Sequence, residues 1–209
     1  MGWFQWDNRD VANKTRDLET RLERIDQELR LLQRISRYLS TGKSIGQSLD
    51  SIVARVVEFT SCDSCLVYLL DQKELVLCAA TGENKEDSLG KVRLKLNEGL
   101  TGWVAREKRF LALSCEAYKD PRFKSFSELV EDTYEAFLSA PIIARGKVVG
   151  VINVQHRQPH SHSGDEMELL STVGEMIGCL VQVVHTQPED LNMAPTIELA
   201  LATAIARQT

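Results

Sequence analysis

Two glycines three residues apart, Gly99 and Gly102, stand in the stretch NEGLTGWVAREKRF (97–110), where a short helix is predicted to begin. Backbone N–H groups at the start of a helix can receive a phosphate or a carboxylate, and glycine lets a ligand approach the backbone closely. The pair is therefore compatible with a phosphate cradle, a nucleic-acid clamp or a lid over another ligand. In the simpler interpretation the two glycines only permit a tight turn and close packing of the helix.

A second phosphate-binding signal, the stretch STGKS at 40–44, is incomplete. A P-loop needs a further glycine five residues before Gly42, and that position is Arg37. The motif also follows a strand, whereas a helix precedes this stretch. Ser44 and Gln47 instead have the spacing of a capping box, so we expect them to begin the next helix.

Three histidines, His156, His160 and His162, follow the last predicted strand. Imidazole is the commonest metal ligand in proteins, and this spacing permits a metal site. Pro159 and the polar surroundings are more typical of an exposed loop, however. We therefore predict no metal site here and no cofactor.

The cysteines are odd in number and mostly stand beside apolar residues, which indicates reduced thiols in a cytoplasmic protein. Cys62 and Cys65 form a single C-x-x-C pair at the start of a strand. Structural zinc needs four ligands, so this pair is interpreted as two small buried hydrophobic residues. The five cysteines are Cys62, Cys65, Cys78, Cys115 and Cys179.

Charge and hydropathy exclude two classes of partner. The chain has 25 Lys and Arg against 30 Asp and Glu, a net charge of −5, and it has no basic run. An acidic chain without a basic patch is not expected to bind nucleic acid or an anionic membrane surface. No apolar stretch approaches the roughly 18 residues that a membrane-spanning helix needs.

The elements that must position these residues begin with a long helix, predicted over 10–39. Its apolar residues alternate spacings of four and three, which is a heptad seam. Ser36 interrupts the seam, and the neighbouring Ile35 is expected to compensate. A seam this narrow predicts a parallel coiled coil with a second copy of the chain. The seam residues are Val11, Thr15, Leu18, Leu22, Ile25, Leu29, Leu32, Ser36 and Leu39.

After a second helix, predicted to end near residue 59, the apolar pattern changes from helical to strand-like. Two hairpins are predicted, the second of them turning at Arg145 and Gly146. Ser163 and Glu166 predict a capping box for a last helix with a wide apolar side. This order predicts an α+β domain, an antiparallel sheet with helices packed on its faces. The predicted strands cover 65–71, 74–82, 91–96, 110–114 and 136–156.

Four motifs in this order closely resemble those of a GAF domain. They are EGLTGWVA (98–105), YKDPRF (118–123), AFLSAPIIARGKVVGVINVQH (136–156) and SGDEMELLSTVGEMIG (163–178). The resemblance covers about residues 30–186 and is closest to the GAF domains of the nitrogen-branch phosphotransferase enzyme I and of nitrogen-fixation activators. It implies a sensory, dimerising module in which a lid of irregular segments covers a small-molecule pocket above the sheet.

The resemblance places ligand contacts in the lid and at the start of the short helix. Arg122 can form bidentate hydrogen bonds to a carboxylate, although Asp120 and Arg122 can equally tie down the loop. The implied ligand is a small carboxylate metabolite such as 2-oxoglutarate. The candidate ligand-binding residues are Gly99, Thr101, Gly102, Trp103, Cys115, Asp120, Arg122, Phe123, Phe126 and Tyr134.

Other ligands and activities of the family fit this sequence less well. Family members that bind cyclic nucleotides carry an Asn-Lys pair after the last strand, and here Val154 follows Asn153. Bilin attachment needs a lid cysteine followed by histidine or another aromatic residue, and Cys115 is followed by Glu116. Two alternatives stay open: a ligand-free dimerisation scaffold, and a free methionine-R-sulfoxide reductase, which the cysteine positions disfavour.

The sequence thus predicts a coiled-coil helix at 1–39, a GAF domain at 40–186 and a tail with a short helix at 187–209. We expect a cytoplasmic sensory module that is not an enzyme and that passes its signal to an unidentified signalling protein. No nucleic acid or membrane partner is expected. The predicted homodimer contacts are Leu18, Leu22, Ile25, Leu29 and Leu32 of the first helix, with Val173 and Leu180 of the last.

Overall fold

The computed structural model of the protein describes residues 8–40, 44–81, 88–124 and 134–185. Phe126 and the predicted tail at 187–209 lie outside these ranges. The helices within them are α1 Asn8–Leu39, α2 Ile45–Thr60, α3 Gly99–Glu107 and α4 Gly164–His185, with a 3-10 turn at Ala117–Lys119. The strands are β1 Ser64–Asp71, β2 Glu74–Ala80, β3 Arg93–Lys95, β4 Leu111–Leu113, β5 Ala136–Ala144 and β6 Lys147–His156.

The strands form one antiparallel sheet in the order β3-β2-β1-β6-β5-β4. Its framework is two hairpins, β1–β2 and β5–β6, which are joined by the central β1–β6 pair. The second hairpin turns at Arg145 and Gly146, as predicted. β6 lies between β1 and β5 at the centre of the sheet. As in any strand, its successive side chains point to opposite faces of the sheet.

One face of the sheet, which we call the helix face, is covered by α2, α4 and the C-terminal part of α1. Its core is apolar throughout and includes Val67, Ile142 and Ile152 from the strands and Leu170 and Ile177 from α4. Burial of so many aliphatic side chains supplies most of the free energy that holds the helices on the sheet.

The opposite face, which we call the lid face, is covered by α3 and the segment that follows it. Its apolar core includes Tyr68, Leu77 and Val151 from the strands and Leu100 and Val104 from α3. Burial raises the pKa of the Tyr68 hydroxyl well above its ordinary value. The predicted α+β fold, with helices on both faces of an antiparallel sheet, is confirmed.

Local signals placed the helix ends correctly. Ser44 and Gln47 form a reciprocal capping box at the start of α2, with both hydrogen bonds at 3.3 Å. At α4 the Glu166 backbone N–H donates to Ser163 Oγ at 3.2 Å, and the Ser163 N–H donates to the Glu166 carboxylate at 2.9 Å. β3 is shorter than predicted, since only Arg93–Lys95 pairs with β2.

Two predictions about the helices are wrong. Ile35 does not repair the coiled-coil seam, because it is fully buried in the helix-face core together with Leu31. Val173 is also fully buried within the chain, so it packs on the sheet and presents no surface to a second subunit. Leu32 and Leu180 are half-buried against the same core. Within the described ranges no helix combines the length and the apolar character needed to cross a membrane.

Candidate functional site

Gly99 and Gly102 have clear packing roles at the start of α3. Gly99 has a φ of 67°, a conformation that glycine adopts without strain. At position 102 a Cβ atom would lie 2.5 Å from the carbonyl oxygen of Lys95, so only glycine lets α3 approach the end of β3. The Glu98 carboxylate, just before α3, accepts the Lys95 backbone N–H at 3.1 Å and pairs with Lys124, also at 3.1 Å. Both contacts lower the pKa of Glu98.

A buried chain of three polar side chains joins α3 to the centre of the sheet. Ser139 Oγ donates to Asn153 Oδ1 at 2.7 Å, and Asn153 Nδ2 donates to Thr101 Oγ1 at 2.8 Å. All three residues are buried. Buried polar groups are costly unless they are hydrogen-bonded, so this chain fixes α3 in one position above β5 and β6.

Of these three residues, Thr101 was among the predicted site residues, whereas Ser139 and Asn153 were missed. Their signal was present in the strand pattern, because each is a polar residue in the apolar middle of its strand. The two strands also pair so that Ser139 lies directly opposite Asn153. The register set by the Arg145–Gly146 turn alone would pair Ser139 with Ile152, and an irregularity between Ile142 and Ile143 shifts the pairing by one residue.

Three of the predicted lid residues meet beside α3. The Arg122 guanidinium lies 4.6 Å from the centre of the Trp103 ring, a cation–π contact. It also donates to both carboxylate oxygens of Asp120, at 2.8 and 2.7 Å. These bonds lower the pKa of the Asp120 carboxyl below its ordinary value. Within the chain, the guanidinium fork of Arg122 is therefore engaged by Asp120.

The other predicted lid residues are not brought to one point. Phe123 is half-buried and packs on the lid-face core. Cys115 is exposed, and Tyr134 is half-buried at the entry to β5. Phe126 lies outside the described residues, as does the rest of 125–133, so the pocket beneath the lid stays a prediction.

A separate groove of about 280 Å³ lies between α1 and α2, lined by residues such as Arg30, Arg34 and Phe59.

The loop after β6 is exposed at Pro159, as expected, but the three histidine side chains are more buried than an exposed loop implies. His156 is the last residue of β6 and is only 7% exposed, while His160 and His162 are half-buried. The rings of His156 and His160 are stacked with their centroids 4.0 Å apart, and the His162 ring contacts both. Pro159 does not prevent this arrangement, because the intervening loop folds back towards β4.

The cysteines divide into buried and exposed thiols. Cys62, Cys65 and Cys78 are buried, and burial raises the pKa of each thiol. A raised pKa disfavours the thiolate that redox and metal chemistry require. Cys115 and Cys179 are exposed.

The fold is that of an α+β domain, with a helix-covered sheet and a lid face. A model of the GAF domain family matches residues 44–181. The chain therefore belongs to the GAF domain family, and a six-stranded antiparallel sheet with a capped final helix is its version of that fold.

Among its relatives are a Nif-specific regulatory protein of Azospirillum lipoferum and a phosphoenolpyruvate-dependent phosphotransferase system protein of Escherichia coli (strain K12). The first is 23% identical over 178 residues, covering 82% of this chain and 28% of that protein. The second is 27% identical over 151 residues, covering 72% of this chain and 20% of that protein. The chain thus spans less than a third of the length of either relative.

Solved structures give the same family assignment. The GAF domain of an Acinetobacter phosphoenolpyruvate-protein phosphotransferase is similar with a TM-score of 0.70 and 30% identity, covering 78% of this chain and 97% of that one. A free methionine-R-sulfoxide reductase from Neisseria meningitidis is similar with a TM-score of 0.63 and 16% identity, covering 76% and 90% of the two chains. At that identity the second likeness concerns the fold alone.

Proposed function

We propose that this chain is a regulatory GAF module that dimerises through α1, binds a small carboxylate metabolite on its lid face and transmits the ligand's state along α1. The proposal joins three parts of the molecule: the exposed seam of α1, the contacts of α1 with the domain, and the arginine of the lid. The exposed seam is the observation that carries it.

The seam consists of Leu18, Leu22, Ile25 and Leu29, which are between 52% and 68% exposed. They are spaced by four, three and four residues along one side of α1. Burying one such side chain is worth about 1.5–3 kcal/mol, and the heptad spacing fits knobs-into-holes packing against an identical helix. Acid–base pairs such as Asp26 with Arg30, at 2.8 Å, support the helix along its charged sides.

The same helix is attached to the domain near its C-terminal end, which is what transmission requires. Leu31 and Ile35 are buried in the helix-face core. Arg24 donates to Ser163 Oγ at 3.2 Å, at the N-terminus of α4. A change in how α4 packs on the sheet would therefore alter the position of α1, and a coiled coil would carry that change to a downstream protein.

Arg122 supports a carboxylate as the ligand. Its guanidinium lies over the Trp103 ring and already binds a carboxylate bidentately, that of Asp120. A ligand carboxylate would compete with Asp120 for the same fork and would release the segment between them. That some relatives are named as Nif-specific regulators makes a nitrogen-status metabolite such as 2-oxoglutarate the first ligand to test.

Dimerisation is tested by light scattering on the full chain and on the double variant Leu22→Glu, Leu29→Glu. We expect twice the 23.5 kDa chain mass for the wild type and the single-chain mass for the variant. The control is Thr20→Glu, an exposed position on the other side of α1, which should stay dimeric. A monomeric wild type at micromolar concentration would refute the dimer.

Ligand binding is tested by thermal shift with 2-oxoglutarate, glutamine and cyclic GMP. A specific ligand at 100 times its Kd stabilises the folded protein by about 2.7 kcal/mol. Arg122→Lys should abolish the shift, whereas Arg109→Lys, at an exposed position before β4, should keep it. A dimer that responds to none of these compounds would favour the alternative function, a ligand-free scaffold.

The enzymatic alternative, reduction of free methionine sulfoxide, is tested directly by mass spectrometry of that substrate with dithiol present. The reaction needs a reactive thiolate and a resolving thiol. Burial of Cys62, Cys65 and Cys78 argues against it, and the exposed Cys115 and Cys179 are the thiols to replace if turnover is found.

A further inference from the structure

We propose that His156, His160 and His162 form a binding site for a divalent transition-metal ion, Zn²⁺ in the first instance, between the end of β6 and the start of α4. Their ring nitrogens include one from each histidine that all lie within 4.8 Å of one another. The site shares no residue with the predicted lid site or with the seam, so it goes beyond the proposed function.

The loop that carries the histidines is fixed on three sides. The His156 carbonyl accepts the Glu135 N–H at 2.9 Å, and the His160 N–H donates to the Ser114 carbonyl at 2.9 Å. The Arg157 N–H donates to the Asp63 carboxylate at 2.7 Å. Such backbone anchoring holds the imidazoles close together before any ion binds, which lowers the entropic cost of binding.

One ring nitrogen has no protein partner. Nε2 of His162 is buried and makes no hydrogen bond. A buried polar atom without a partner costs about 1–3 kcal/mol, and few native proteins leave such an atom unexplained. A metal ion bound to this nitrogen would remove the penalty.

The fourth residue of the cluster, Glu166, prepares His160 for ligation. The Glu166 carboxylate oxygens lie 3.1 and 3.2 Å from Nε2 of His160. One of them also accepts the Ser163 N–H, so the carboxylate cannot turn away. With Nε2–H directed at Glu166, the lone pair of Nδ1 is left for a metal, which is the carboxylate–histidine–metal arrangement of many protein sites.

The donor set of the cluster suits a transition-metal cation. The neutral imidazole is the form that binds a metal. Three imidazoles are also a ligand set that suits Zn²⁺ better than Mg²⁺ or Ca²⁺.

Binding requires a small closure of the cluster. Nitrogen ligands of a tetrahedral zinc lie about 3.3 Å apart, given Zn–N distances of about 2.0–2.1 Å. The stacked rings of His156 and His160 must therefore splay, and water would occupy the fourth position. The ion would then link the end of β6 to the loop that precedes α4, the loop that also contains Ser163, the partner of Arg24.

The test is titration of untagged, chelator-treated protein with Co²⁺, followed by displacement with Zn²⁺. We expect one Co²⁺ per chain, with the visible absorption of a four-coordinate site and no thiolate-to-cobalt charge transfer. His160→Gln and His162→Gln should each weaken binding at least about 100-fold, because outer-shell partners alone are worth about 10–100-fold. Glu166→Gln should weaken it by about 10–100-fold.

The matched control is His185→Gln, which removes the chain's fourth histidine and should leave the affinity unchanged. Circular dichroism and the chain mass in solution check that each variant is folded. The proposal is overturned if wild-type protein binds no ion, if charge transfer places the ion on cysteine, or if folded His160→Gln and His162→Gln variants bind as tightly as the wild type.

Discussion

Ile152 and Asn153 are consecutive residues of the central strand β6, and they enter opposite faces of the sheet. Ile152 joins an apolar core shared with α2 and α4, whereas Asn153 joins a hydrogen-bonded chain beneath α3. The helix face is built from apolar side chains that need no specific hydrogen-bonding partner. The lid face also contains groups that must meet specific partners.

The difference shows how the domain separates stability from specificity. Apolar burial is strong and tolerant of small shifts, so the helix face holds the fold together. The polar chain contributes less net free energy, but it penalises every position of α3 except one. A face with a single preferred helix position is suited to report a change, because any ligand that moves α3 must break defined bonds.

The largest effect should follow truncation on the helix face. Ile152→Ala removes a fully buried side chain and leaves a cavity, so the free energy of unfolding should fall by about 2–5 kcal/mol. Urea denaturation measures it. Ile143→Ala, at a side chain that is 36% exposed, is the control and should change stability by less than about 1 kcal/mol. Equal losses at the two positions would contradict the assignment of the core.

On the lid face, the strongest prediction concerns the middle of the polar chain. Asn153→Ala leaves the hydroxyls of Ser139 and Thr101 buried without their partner, which should cost roughly 2–3 kcal/mol. Amide hydrogen exchange should also become faster in α3 than in α4. The control is Gln155→Ala, two residues further along β6 and not part of the Ser139–Asn153–Thr101 hydrogen bonds. Unchanged exchange in α3 would show that these hydrogen bonds do not position the helix.

A smaller loss is expected where α3 approaches the sheet most closely. Gly102→Ala would place a Cβ atom 2.5 Å from the Lys95 carbonyl oxygen, forcing α3 outwards at a cost of roughly 1–2 kcal/mol. Thermal unfolding measures the loss. Gly164→Ala, where an added Cβ meets nothing within 4 Å, should leave the melting temperature nearly unchanged. A similar melting temperature for both variants would mean that α3 can move without cost.

The smallest effect is expected for the ion pair between Asp120 and Arg122. Asp120→Asn weakens the bonds to the half-buried Arg122, and such pairs are worth up to about 1 kcal/mol. Since Arg122 lowers the pKa of folded Asp120, its contribution is present above the unfolded pKa and is lost as the pH falls through the folded value. The difference between variant and wild type in urea denaturation should therefore disappear in acid. A constant difference at all pH values would exclude the ion pair as its cause.

Most of the fold could be predicted from the sequence because its signals are local. Ser44 with Gln47 and Ser163 with Glu166 are capping boxes over three residues, and Arg145–Gly146 is a turn between strongly apolar strands. Each of these signals is decided by neighbours in the chain. They fixed the order of the elements, and that order was enough to recognise the family.

The candidate sites were harder to predict because their partners are distant in sequence. Thr101 and Asn153 are 52 residues apart, and no local pattern states that they meet. His156 is read as a loop residue from its neighbours, yet the sheet register places it at a buried strand end. Ile35 stands beside the seam position of Ser36 in the sequence, yet its side chain is buried in the helix-face core.

The geometry of α1 has a mechanical consequence. Leu29 faces the seam and Leu31 enters the domain core, and two residues of an α-helix turn through about 200°. If two chains pair along their seams, the sheet domain of each chain lies on the outer side of the paired helices. A small rotation of the helices about their long axis would then displace both domains over a large distance, so a small change inside one domain would alter the relative positions of the two.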